Sequence, residues 1–201
     1  KVMSYRTYLT ILAGVTLLGH AASADVVWDE TLDGDLSEDY LAPTGITLAE
    51  GSNLVLFTSL DLPGDPDREY FTFTIETGYQ LSNFILEAYT TTPAENLGFI
   101  GIASGSQFPS PPTSLSPAPL LGYSLMGLAD VGTDLLPAMG QAPGALGFEG
   151  PLGAGAYTVW AQETSLSLEE WRLNLVVTQV PAPGVVALAG LGGLVFRRRR
   201  D

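Results

Sequence analysis

The stretch DVVWDETLDGDLSED, residues 25–39, carries seven carboxylates in fifteen positions. Within it Asp33, Asp35, Ser37 and Asp39 alternate, a spacing that can turn several oxygens toward one hard cation such as calcium. A second acidic loop holds Asp61, Asp65, Asp67 and Glu69. The metal-ligand candidates are therefore Asp33, Asp35 and Asp39 from the first stretch and Asp65 and Asp67 from the second. Neither stretch is an EF-hand: Glu38 stands where that loop needs glycine, and Thr44 where it needs a bidentate Glu. The competing reading of each cluster is a solvated acidic turn, because spacing alone does not make oxygens converge.

Two further chemistries need only residue types that the chain has. A glycosidic bond can be hydrolysed by a pair of carboxylates at a suitable separation, but no position among 21 acidic residues is singled out. Aromatic side chains can stack on sugar rings. Trp171 falls with the apolar residues of its segment, whereas Trp160 shares a face with Thr158 and Gln162 and is the better platform candidate.

The residue types missing from the chain exclude more. It has no Cys, its single His20 lies in the first 24 residues, and residues 25–179 contain no Lys. Ser-His-Asp and Cys-His nucleophiles, His- or Cys-bound zinc, a Schiff-base lysine and a phosphate-loop lysine are thereby removed from that stretch. No motif of serine hydrolases, zinc proteases or dinucleotide enzymes is present, so no catalytic residues are assigned and the expectation is a non-enzyme. No organic cofactor is implied, and calcium is the one inorganic candidate. The same 155 residues hold Arg68 and Arg172 against 21 acidic residues, a surface that repels phosphate backbones and makes nucleic acid an unsuitable partner.

The elements that must position these residues read as short strands. YFTFTIE (70–76), AYTVWAQ (156–162) and WRLNLVVT (171–178) alternate apolar and polar residues with period two. Further strands are expected over 46–48, 53–60, 81–89, 97–103 and 120–125. Turn-rich stretches at 63–67, 76–78, 108–119 and 139–155 separate them. The fold expected is all-β, a single antiparallel β-sandwich or jelly roll occupying residues 25–179.

The ends have a different character. Lys1 and Arg6 precede an apolar run over 8–19, and Ala22, Ser23 and Ala24 form a small-residue cleavage triplet. Residues 1–24 are read as a signal peptide forming an N-terminal helix, cut before Asp25. The opening on Lys1 points to a start at Met3 or upstream. At the other end Val180, Pro181, Ala182, Pro183 and Gly184 lead into an apolar segment and then Arg197, Arg198, Arg199 and Arg200. The 13 uncharged residues 184–196 would make a helix of about 20 Å, short against a hydrocarbon core of about 30 Å, with the arginines extending its reach.

Residues 180–201 resemble the sorting signal of PEP-CTERM exported proteins, in the VPAPG-type variant with Ala182 where the usual motif has Glu. The resemblance implies a signal peptidase and an exosortase-type membrane peptidase as partners. It also implies a short transmembrane helix held transiently in the inner membrane, then a destination at the cell surface or in extracellular polysaccharide. Residues 65–75, DPDREYFTFTI, with Gly78, Tyr79, Gln80 and Leu81, resemble the start of bacterial pre-peptidase C-terminal domains. Residues 155–160 and 171–177 resemble the closing strand pair of those domains. That resemblance implies a small β-sandwich of binding or structural role. The function expected is an exported, non-enzymatic surface or matrix protein; the alternatives are a carbohydrate- or calcium-binding module and a carboxylate glycosidase.

Overall fold

The computed structural model describes residues 24–63, 66–114 and 116–181. The signal and transmembrane helices expected at the ends lie outside the described residues. So do Ala22, Asp65, Ala182, Pro183, Gly184 and the arginines Arg197, Arg198, Arg199 and Arg200. Among the described residues no helix is long and apolar enough to cross a membrane.

The chain is all-β. In order it forms β1 (Asp25–Asp29), α1 (Glu30–Asp33), β2 (Thr44–Gly45), β3 (Gly51–Leu60), β4 (Arg68–Ile75) and β5 (Tyr79–Thr92). Next come β6 (Gly98–Ser104), β7 (Gly122–Met126), α2 (Leu136–Gly140), β8 (Gly155–Glu163) and β9 (Leu168–Gln179). One sheet has the order β1-β3-β9-β5 and the other β2-β4-β8-β6-β7.

Period two explains how the sheets meet. Phe71, Phe73 and Ile75 of β4, Tyr157, Val159 and Ala161 of β8, and Ile100 and Ile102 of β6 point from one sheet into a single apolar cluster. Val55 and Phe57 of β3, Phe84 and Leu86 of β5, and Trp171, Leu173 and Leu175 of β9 enter it from the other. Each valine, leucine, isoleucine or phenylalanine among them contributes on the order of 1.5–3 kcal/mol by leaving water. Trp171 stacks on Phe57 at 5.4 Å and meets Tyr89 edge-on at 5.3 Å. Its indole N–H, which would otherwise be an unpaired donor in the core, donates to Ser59 Oγ at 3.1 Å.

Seven of the expected strands are present, but the pairing is not antiparallel throughout. The interior ladders are antiparallel, whereas β1 on β3 and β2 on β4 are parallel. The reason is connectivity: between β1 and β3 the chain crosses from the edge of one sheet to the edge of the other and back. Parallel neighbours require such a crossover, which a hairpin cannot supply. The strand expected over 46–48 is not formed: the two residues of β2 precede it, and one further bond, Ile46 N–H to Thr72 O at 2.8 Å, follows them.

Trp160 is not a displayed platform. It is 8 % exposed and belongs to a second apolar cluster with Tyr70, Ala103, Phe108 and Leu120 on the outer face of the second sheet. The sequence reading treats the face opposite the core as solvent. In the fold the proline-rich loop after β6 lies across it, tied down by Phe108 N–H to Tyr40 O at 2.8 Å and Leu121 N–H to Ile102 O at 2.9 Å. Trp160 stacks on Tyr70 at 5.7 Å and meets Phe99 and Phe108 edge-on at 4.9 and 5.4 Å.

Trp160→Ala is accordingly expected to cost about 3–5 kcal/mol, as for a core aromatic. At roughly 2–4 °C per kcal/mol for a domain of this size, the melting temperature should fall by about 6–20 °C in a circular-dichroism melt. A loss within about 0.5 kcal/mol, the usual range at an exposed site, would place the indole on the surface instead.

Candidate functional site

At one end of the gap between the sheets the inward positions are acidic instead of apolar. Glu69 lies two residues before Phe71 on β4, Glu163 two after Ala161 on β8, and Glu169 two before Trp171 on β9. Each therefore points the same way as its apolar neighbours, into the gap. Glu69 and Glu169 are fully buried and Glu163 is 3 % exposed. The ladders bring these strand ends together: Glu163 pairs with Gly98 of β6, and Glu169 with Ser59 of β3 and Thr91 of β5.

The N-terminal acidic segment closes this end. Asp29 caps α1 by accepting from Thr31 N–H at 3.0 Å and Thr31 Oγ1 at 2.6 Å, and Asp33 Oδ2 accepts from Asp29 N–H at 2.9 Å. Parallel pairing of β1 with β3 carries Glu30 to Thr58, whose N–H and Oγ1 both donate to Glu30 Oε2. Beyond α1, Ser37 O accepts from Tyr70 N–H at 2.8 Å, which docks the loop on β4 beside Glu69. As a result one carboxylate oxygen from each of Glu30, Asp35 and Glu69 lies within 4.8 Å of the others.

The two acidic stretches thus converge on one place, with a membership different from that expected. Asp35 belongs to it and Asp67 lies beside Glu69, its Oδ2 accepting from Leu60 N–H at 2.9 Å. Asp33 does not belong, because its carboxylate is engaged in the α1 turn. Asp39 does not either, since its Oδ1 accepts from Leu41 N–H at 2.9 Å and closes a turn of its own. Glu30 lies outside the ligands expected from spacing, and so does Glu69, although it belongs to the second acidic loop. The signal for Glu69, Glu163 and Glu169 is present in the alternation, which runs on past the last apolar residue of each strand.

The electrostatics follow from burial. Neither oxygen of Glu69 or of Glu163 has a hydrogen-bond partner among the described residues. Burial, then the charges of Asp67, Asp35 and Glu30, push the Glu69 carboxyl up to about 10. Burial, with Asp67, Glu169 and Asp61 nearby, pushes Glu163 up to about 7. Burial also raises Glu169, although its Oε1 accepts from Asn96 Nδ2 at 2.9 Å and from Ser167 Oγ at 3.3 Å. The two cations of the described residues are placed elsewhere: Arg172 pairs with Glu87 at 3.2 Å, and Arg68, next to Glu69 on the strand, points to the other face.

Compared with protein-family models, with curated proteins and with solved structures, the chain gives no significant match.

Raised carboxyls make stability fall with pH. In the folded state Glu163 and Glu69 keep protons that the unfolded chain releases near the usual 4.5. Their contribution is fully present below about pH 4.5 and is lost as pH rises through 7 for Glu163 and on toward 10 for Glu69. In EDTA, the urea midpoint should drop by on the order of 1 M between pH 5 and pH 8. Glu163→Gln should make the slope below about pH 7 shallower and leave the part due to Glu69; a slope unchanged below pH 7 would remove Glu163 as a source.

Proposed function

We propose that the chain is an exported, acidic, non-enzymatic β-sandwich protein of the cell surface or extracellular matrix, delivered through a PEP-CTERM-type sorting signal. The observation that carries this reading is the placement of the first and last strands. β1 starts at Asp25, directly after the Ala22-Ser23-Ala24 cleavage triplet. β9 ends at Gln179, and its ladder closes with Val180 N–H donating to Gly78 O at 2.8 Å, directly before Pro181. Both expected processing sites therefore fall within a residue or two of a strand end, so cutting at either leaves every strand intact.

The carboxylates that the fold gathers favour a binding or structural role over glycosidase chemistry. Glu69, Glu163 and Glu169 face the interior of the two-sheet body with almost no exposure, where a polysaccharide chain has no access to them. The outer surface carries the remaining acidic charge, which keeps such a protein soluble and apart from anionic lipid and nucleic acid.

Mass spectrometry of the protein purified from its native envelope tests the reading. Expected are an N-terminus at Asp25 and a C-terminus near Pro181, with the Arg197 to Arg200 cluster removed. A soluble extracellular form that retains those four arginines would overturn it.

A further inference from the structure

We propose that Glu30, Asp35 and Glu69 hold a calcium ion that seals the N-terminal acidic segment onto β4. Three separate places in the fold deliver one oxygen each to a common point: the first turn of α1, the loop after it, and the inward face of β4. Ligands of one calcium ion sit at about 2.3–2.6 Å from it, so any two are at most about 5 Å apart. Oxygens within 4.8 Å of one another meet that condition. The donor set is carboxylate only, which suits a hard cation and not zinc or copper.

A second observation separates this cluster from a merely acidic surface. Glu69 has no exposure to solvent, and neither of its oxygens has a hydrogen-bond partner among the described residues. A carboxylate taken out of water in that state costs several kcal/mol unless a proton or a cation neutralises it. Neither Arg68 nor Arg172 reaches it, and its neighbours within the cluster carry the same sign of charge. Glu30 is already oriented, since Oε2 is fixed by the two Thr58 donors. Asp35 is exposed, which leaves an entry path and room for water ligands.

The ion would bridge elements that are otherwise joined by few bonds. The segment from Glu30 to Ser37 meets β4 through the Ser37–Tyr70 bond and β3 through Glu30–Thr58.

Calorimetric titration of the EDTA-treated full-length chain with calcium chloride tests the site. Expected are one calcium per chain and a dissociation constant near the 10⁻⁴–10⁻³ M typical of extracellular modules. At about a hundredfold excess over that constant the melting temperature should rise by about 5–10 °C. Glu69→Gln removes the charge, keeps the shape, and should lower affinity at least about tenfold, a loss of 1.4 kcal/mol or more. Asp35→Asn, at an exposed position, should lower it comparably and covers the case in which the buried variant does not fold. Asp39→Asn should leave it unchanged. Absence of calcium binding to the wild type overturns the proposal. So does an equal loss in Asp35→Asn and Asp39→Asn, which would mean diffuse attraction to an acidic surface.

Discussion

The structure depends on one gap between two sheets, filled by side chains whose direction is set by strand period. A strand cannot change which residues it sends inward without a bulge or a slip of register. The constraint that puts Phe71, Val159 and Leu173 in a common core therefore also puts Glu69, Glu163 and Glu169 in its continuation. The apolar stretch offers these carboxylates no exit, and the outward alternative is blocked because every other residue of the strand would have to turn with them. A buried acid that cannot leave must be neutralised or bound. The raised carboxyls at this end of the molecule stem from that.

Position within the sheets decides how much each part tolerates. β9 lies between β3 and β5 and pairs along nearly its whole length, so its inward residues, Trp171 to Val177, anchor the first sheet. β1 is an edge strand paired in parallel with only β3, with a register shift between Val26 and Trp28. Edge strands with one neighbour open more readily than central ones. Beyond that ladder and the packing of Val27 and Trp28 on the core, β1 is held by the residues just after it in the chain: the Asp29–Thr31–Asp33 cap, the Glu30–Thr58 bonds and the Ser37–Tyr70 bridge.

Most of the strands are legible in the sequence, because alternation such as YFTFTIE or WRLNLVVT has a single interpretation when one face must be buried. The proline-rich loop after β6 is legible as a loop but not as a cover. Its path over the outer face of the second sheet depends on Phe108 finding Tyr70 and Trp160, a tertiary match that no local pattern announces. That is why alternation alone puts Trp160 on the wrong side of the solvent boundary. β1 is hidden by its acidic surroundings, and its parallel pairing by the absence of any hairpin signal. Of the acidic site, spacing singles out only Asp35, since the site joins residues 30, 35 and 69 across separate elements. Glu69 is within reach of the alternation rule. Treating a charged residue at the end of an apolar face as the end of the strand conceals it.

The acidic end and the fastening of the first strand belong to one design problem. A cysteine-free body of this size has no disulfide to fasten its edges, and its last strand, β9, is already secured at the centre of a sheet. Its first strand, starting at Asp25, lies on an edge and pairs only with β3. Apolar contacts fasten part of that edge, since Leu36 lies in the core and Val27 and Trp28 pack against it. Between those residues the segment is acidic, and Glu30 and Asp35 meet β4 at Glu69. The first strand is thus held by two kinds of contact: apolar ones that need no partner, and a cluster of like charges that does.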